Sequence, residues 1–279
     1  MGMIRDSLFI FAPLRRELAR WQAAGHQAAF WIRDDDATRM SPEFERLLTL
    51  QKKYSLPMAI SVIPKWSGLQ LPRIIRDRPD MIVLQHGWSH ENHASQCSPG
   101  QHSEFSANRM PDEVQKDLIM GRTRLEILYG DQFIPGFVPP WNHIAPIHMP
   151  LFKNYQFISG RNCMESAAEM KTLHVHLDVL RWGVRPRFRG KRKIIRELCK
   201  ELRQRRESGK STPLGIQLHH LVMDPASWRF TDQLIATLAA HSAAQFLDVR
   251  QAVLASSAVT VQKDGKINEN VLAFRQKAA

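Results

Sequence analysis

The stretch Met81-Ile82-Val83-Leu84-Gln85-His86-Gly87-Trp88-Ser89-His90 is an apolar run that ends in two histidines four residues apart. Bounded by Pro79-Asp80 before it and Gly87 after it, its first half reads as a strand covered on both faces rather than as an exposed helix. His86 and His90 then stand at or just past a strand's carboxyl end. In a parallel α/β sheet or barrel that rim is where loops converge and ligands bind. Two imidazoles one turn apart can meet on one cation at about 2.0–2.1 Å, but in a chain with 12 histidines the pair means little without partners.

Working outward, the same alternation of apolar runs and helical periodicity recurs along the chain. Residues 27–33 form a first strand that runs into Asp34-Asp35-Asp36, and residues 57–63 a second. Further strands are expected at 133–138, 156–159, 174–178, 214–219 and 245–249. Between them, Ser41-Pro42, Pro111-Asp112-Glu113 and Asp224-Pro225 are helix-start signals, opening helices to about Tyr54, Tyr129 and His241. A basic helix is expected over 191–206, and a polar stretch between His90 and Pro111 is long enough to cover or line a site. Alternating strands and helices predict an α/β fold, most simply a distorted (β/α) barrel of seven to eight parallel strands, TIM-like. The expected division is a leading helix over 1–26, one catalytic-size domain over 27–257, and a polar tail over 258–279.

At 279 residues, with 43% hydrophobic and 24% charged residues, the chain suits one large globular domain. Cys97, Cys163 and Cys199 are few, odd in number and far apart, which reads as reduced thiols in a cytoplasmic protein. Charged residues interrupt the first twenty positions, so no secretory signal is visible, and no apolar run approaches the roughly 18 residues of a membrane span. The net charge of +12 is concentrated in residues 185–206. Ile194, Ile195, Leu198 and Leu202 recur there at helical spacing, so this is first a solvated helix face, and second a surface for an anionic substrate or membrane. No nucleic-acid-binding module is recognisable, and no nucleic-acid partner is expected.

Four polar clusters fall at expected strand ends: Asp34-Asp35-Asp36, His86 with His90, Pro139-Pro140-Trp141-Asn142, and His219-His220. Consecutive aspartates at a strand end repel each other unless a cation or hydrogen-bond donors hold them. Two imidazoles and one carboxylate make a three-ligand site with an open position, the composition of a catalytic rather than a structural zinc site. A further carboxylate can serve as base and a further histidine as acid.

In these ordered motifs the sequence resembles the polysaccharide deacetylases with the NodB-homology domain, over most of residues 27–249. Asp34-Asp35-Asp36-Ala37 looks like the family's aspartate-pair motif, and by position Asp35 matches the general base and Asp36 the metal ligand. His86-Gly87-Trp88-Ser89-His90 is similar to the two-histidine metal motif at its full spacing. Phe137-Val138-Pro139-Pro140-Trp141 resembles the Arg-x-Pro-aromatic motif that walls the groove, Asp178 with Trp182 the aspartate and tryptophan motif, and Leu218-His219 the terminal motif whose histidine is the acid. Two departures stand out. Val138 occupies the place of an arginine that orients the base, for which Arg161 or Arg33 would have to substitute, and His220 follows His219 where an aspartate is common.

The resemblance implies a metal-dependent hydrolase, most simply with Zn2+, that removes an acetyl group, N-linked in the first instance, from a carbohydrate. Its metal would be held by Asp36, His86 and His90, with Asp35 as base and His219 as acid. Trp88, Pro140, Trp141, Asn142, Asp178, Trp182 and His220 would shape the substrate site, and the partner would be an N-acetylated sugar or glycan. Two other readings stay open: metal-independent hydrolysis of a non-sugar amide, as in some relatives, and a catalytically silent carbohydrate-binding protein, which Val138 would explain.

Overall fold

The computed structural model describes residues 9–94, 102–161, 170–210 and 212–263. Cys97, Cys163 and the stretch beyond Lys263 lie outside the described residues, and Cys199 is a free thiol. In chain order the elements are α1 (Ala12–Ala23), β1 (Ala28–Ala37), α2 (Pro42–Tyr54), β2 (Met58–Val62), α3 (Gln70–Arg76), β3 (Met81–His86), α4 (Pro111–Tyr129) and β4 (Phe133–Val138). There follow β5 (Phe157–Ile158), β6 (Val175–Asp178), β7 (Leu180–Arg181), β8 (Arg187–Phe188), α5 (Lys191–Ser208), β9 (Leu214–Leu218), α6 (Pro225–Ala239), β10 (Ala244–Phe246) and α7 (Val249–Lys263).

The main sheet has eight strands in the order β5-β4-β3-β2-β1-β9-β6, with β10 beside the first half of β1, and its pairings are all parallel. Its two edges meet through parallel bridges at Ile158–Thr172 and Arg161–Val175, so the sheet curls into the expected distorted barrel. After β4, where a regular barrel would carry a helix, the chain makes short 3-10 turns at Pro140–Asn142 and Pro146–Phe152.

Alternation along each strand sorts side chains to the two faces of the sheet. Trp31, Ala59, Ile82, Leu84, Ile134, Val138, Phe157 and Val175 pack together inside the barrel. Ile32, Met58, Ile60, Val83 and Ile216 belong instead to the layer shared with the helices. The helix starts follow their signals: Ser41 Oγ accepts from the Phe44 N–H at 3.1 Å, and Asp224 Oδ1 from the Ser227 N–H at 2.6 Å.

Four features differ from the sequence expectation. The short helix α3 and the β7–β8 hairpin carry no long periodic pattern, and both escape a reading based on period. The last strand ends at Phe246, and what was expected to fade into a polar tail after 258 is helical through Lys263. Asp248 and Gln251 bond reciprocally to each other's backbone N–H at 2.9 and 3.1 Å, a capping box that starts α7, and Val249 and Ala252 join the barrel-interior cluster. No helix among the described residues is long and apolar enough to cross a membrane.

Candidate active site

The carboxyl ends of β1, β3, β4, β5, β6 and β9 surround a groove of about 880 Å³. On β1 the alternation that puts Trp31 inside the barrel also puts Arg33 and Asp35 inside, while Asp34 turns toward the helices. Asp36 would follow Asp34 outward if the strand stayed regular. It does not: the pairing with β2 shifts register between Asp34 and Ala37, and Asp36 takes a left-handed φ of 69°. This bulge brings two consecutive aspartates to one cavity. His90, Trp141 and Asn142 also have positive φ (57°, 54° and 56°), a concentration of costly backbone at one rim of the groove.

Asp36, His86 and His90 offer ligand atoms that all lie within 4.8 Å of one another. Asp36 Oδ1 is 3.0 Å from His86 Nε2 and 3.4 Å from His90 Nε2. His86 Nδ1–H donates to the Val138 carbonyl at 2.8 Å and Nε2 faces the cavity, where as Nε2–H it donates to Asp36 Oδ1; loss of that proton would free the Nε2 lone pair for a cation. Burial and the nearby His86 charge push the His90 pKa down to about 4, so at neutral pH this ring is an uncharged donor. Burial opposes the Asp36 charge, yet the hydrogen bond and charge of His86 outweigh it and lower the pKa to about 2. A carboxylate and two imidazoles on one face, with open space opposite, fit a divalent cation with N/O ligands.

Asp35 sits beside the triad in a different network. Arg33, wholly buried, donates to both of its oxygens, Nε to Oδ1 at 2.8 Å and Nη2 to Oδ2 at 2.9 Å. Arg33 Nη1 is itself held by the carbonyl and hydroxyl of Ser159 at 2.9 and 2.7 Å. Gln217 Nε2 donates to Asp35 Oδ2 at 2.7 Å, and His219 Nε2 stands 3.8 Å from the same oxygen. Burial alone would raise the Asp35 pKa; the charges of Arg33, His86 and His219 hold it well below the usual carboxylate range. The guanidinium that Val138 cannot supply therefore comes from Arg33. Arg161 is engaged elsewhere, with Asp178 Oδ2 and, at 3.3 Å, Gln217 Oε1.

No family model matches the chain, and no curated protein matches it. Solved structures do. A putative polysaccharide deacetylase from Mycobacterium smegmatis superposes with a TM-score of 0.61 at 19% identity, over 85% of this chain and 92% of that one. A family 4 acetyl xylan esterase from Clostridium thermocellum, in complex with a cobalt ion, gives 0.52 at 17% identity over 81% and 90%. A peptidoglycan deacetylase from Bacillus subtilis gives 0.50 at 13% identity over 91% and 98%. The chain has the polysaccharide deacetylase fold.

Within this deacetylase fold the remaining residues singled out by the sequence separate into those that face the groove and those that do not. Trp141, Asn142, Trp182 and His219 line it, together with Pro139 rather than Pro140. The Trp141 ring lies 4.2 Å from that of His90, and Trp182 meets His219 edge-on at 4.5 Å. Asp178 is buried beneath the floor, where Oδ2 accepts from Trp182 Nε1 at 2.6 Å and from Arg161, and so fixes the groove wall without opening onto it. Trp88 and Pro140 lie outside the cavity lining. His220 does as well: it is fully buried on the helix side, donating from its backbone N–H and Nδ1 to the two oxygens of Asp34 at 2.9 and 2.6 Å, with Phe44 against its ring. Successive residues at the end of β9 must face opposite ways, and only His219 turns inward.

Two residues escape the sequence reading. Gln217, two positions before His219, shares its face by strand alternation and could have been found that way. Glu104 could not. Fully buried, it accepts from the N–H groups of Trp88 and Ser89 at 2.9 and 2.8 Å through Oε1 and of His90 at 3.2 Å through Oε2, clamping the loop that carries the second histidine. A Cβ on Gly87, whose φ is 62°, would come within 1.9 Å of Glu104 Oε2, so only glycine allows the carboxylate this close.

Proposed function

We propose that this protein is a metal-dependent hydrolase that removes an acetyl group, in the first instance N-linked, from a carbohydrate. The observation that carries the reading is the convergence, in one groove, of the Asp36–His86–His90 cluster, an arginine-held Asp35 and His219. A divalent cation held by Asp36, His86 and His90 would act as a Lewis acid toward the acetyl carbonyl and make water a nucleophile near neutral pH, a role in which zinc is common. Asp35 accepts the proton of the attacking water, and Arg33 and Gln217 keep its carboxylate in the plane where its remaining lone pairs reach that proton. The backbone N–H of Trp141 is assigned to the carbonyl oxygen as negative charge develops there. His219 delivers a proton to the departing nitrogen as the C–N bond breaks, leaving acetate and a free amino sugar. Trp182 holds the His219 ring edge-on and, with Trp141, offers flat apolar surface to sugar faces.

The reading of a silent carbohydrate-binding protein rests on Val138; the fork of Arg33 on Asp35 supports the enzymatic reading instead. The non-sugar, metal-independent reading gains nothing from a groove that keeps all three cation donors. The test is elemental analysis of the purified protein beside acetate release from a panel of N-acetylated oligosaccharides. His86→Ala and His90→Ala should lower metal content and acetate release together. Stoichiometric metal in the double variant, or full activity without metal, would refute the assignment.

A further inference from the structure

The charge excess does not lie where a helix face alone would put it. Between Asp178 and Glu197 the chain has no acidic residue and eight basic ones. Of the arginines at the far end of α5, Arg205 is buried with Glu201 and the Thr212 carbonyl, and Arg206 pairs with Glu17 of α1 at 2.8 Å. Those two are structural. Arg181, Arg185 and Arg187 are different: they are exposed, and no acidic group among the described residues pairs with them. Arg181 and Arg187 stand directly opposite each other in the antiparallel β7–β8 ladder. Like charges in that position destabilise a hairpin, so this one carries a cost that an anion between the two guanidinium groups would offset.

The hairpin is also a wall of the groove. Trp182, Gly183, Val184 and Pro186 line the cavity that holds the cation cluster. On the other side of the same loop, Arg181, Arg185 and Arg187 line a second cavity of about 570 Å³, which shares Trp182, Gly183 and Val184 with the first. A chain of sugars seated at Asp36 and passing over Trp182 would next meet three unpaired guanidinium groups.

We propose that the β7–β8 hairpin is an anion-holding arm of the substrate groove, and that the substrate is an acidic glycan whose carboxylate or phosphate groups sit on Arg181, Arg185 and Arg187 while its acetylated sugar sits at the cation cluster. This rests on the deacetylase reading above. The planar guanidinium fork suits both oxyanions, and the pairing of a stacking tryptophan with arginines suits a sugar that carries one. A membrane surface is the less fitting partner, because the arginines line a concavity that shares the loop Trp182-Gly183-Val184 with the groove.

The test is equilibrium binding, read by calorimetry so that no turnover is needed. The ligands are a hyaluronan hexasaccharide, the neutral hexa-N-acetylchitohexaose, and UDP-N-acetylglucosamine as the phosphate-bearing arm. The expected result is that Arg181→Gln with Arg187→Gln weakens the acidic ligand by about tenfold or more at low salt and flattens its salt dependence, with hexa-N-acetylchitohexaose unchanged. Comparison of hyaluronan with UDP-N-acetylglucosamine shows which oxyanion the arm prefers. Equal loss for charged and neutral ligands, or no loss for either charged one, overturns the proposal. So does variant-dependent sedimentation with phosphatidylserine vesicles when oligosaccharide affinity stays unchanged. Binding that persists while no acetate is released would sink the deacetylase reading and leave the arm standing.

Discussion

Two aspartates that adjoin in sequence live in different surroundings, and the difference is one of strand parity. Asp35 faces the barrel interior and is gripped by Arg33, two positions earlier on the same face. Replacing Asp35 with asparagine should lower kcat by roughly 10²–10⁴-fold while metal content holds, because general-base assistance is worth about that much. Asp36→Asn should instead loosen the metal, with activity partly restored by added metal. The reverse pattern in paired metal and rate measurements would exchange the two roles. Arg33→Lys keeps the charge but loses the fork, so kcat should fall with metal content unchanged; an unaltered rate would show that Asp35 needs no such orientation. Asp34 faces the helices and holds His220. Burial opposes a charge on His220, but the charge and hydrogen bond of Asp34 win and raise its pKa above the ordinary histidine value. A raised folded-state pKa means the pair's stabilisation is complete below about pH 6.5 and is lost as pH rises through the folded value. Denaturant midpoints measured in chelator between pH 5 and 9 should therefore decline across that upper window in the wild type. The decline should flatten in Asp34→Asn, and an identical profile for both would refute the assignment.

At the scale of elements, the loop from His86 to His90 is short but not self-supporting. Its three N–H groups at Trp88, Ser89 and His90 converge on Glu104, fourteen residues beyond His90, and burial raises the pKa of that carboxyl against their pull. Glu104 thus positions His90 without facing the groove. Partners of this kind typically contribute about 10–100-fold in metal affinity. Glu104→Gln should weaken binding of the metal by that order, as read by competition with a chelator, while circular dichroism stays native. Unchanged affinity would mean that Gly87 and strand β3 alone hold the loop. The capping pair at Asp248 and Gln251 works on the same scale, turning the chain after β10 into a helix whose apolar residues add to the barrel interior.

For the molecule as a whole, Glu17 joins the leading helix to the basic helix. This buried carboxylate of α1 accepts from Arg20 at 3.0 Å and Arg206 of α5 at 2.8 Å, tying the leading helix to the basic one. Glu17→Gln should lower unfolding stability by about 1–3 kcal/mol in denaturant titration while the salt dependence of ligand binding stays as in the wild type. A change in that salt dependence would place the far end of α5 within the binding surface. The alternation of apolar runs and helix caps determined the parallel barrel, and polar residues at strand ends marked out its rim, because both are local patterns with a fixed period. So were the histidine pair, the aspartate run and the His219-His220 pair, each legible from position at a strand end. What decided the rest was contact across the closed sheet. Arg33 rather than Arg161 reaches Asp35, Glu104 reaches back to the histidine loop, and His219 rather than His220 faces the groove. Each depends on a register shift, on which face of a strand the barrel encloses, or on a long loop's return, which no one-dimensional spacing encodes. The same holds for the arginines: as a sequence they are one basic run, and only folding divides them into those that bind glutamates within the protein and those left exposed in a second cavity behind the groove wall.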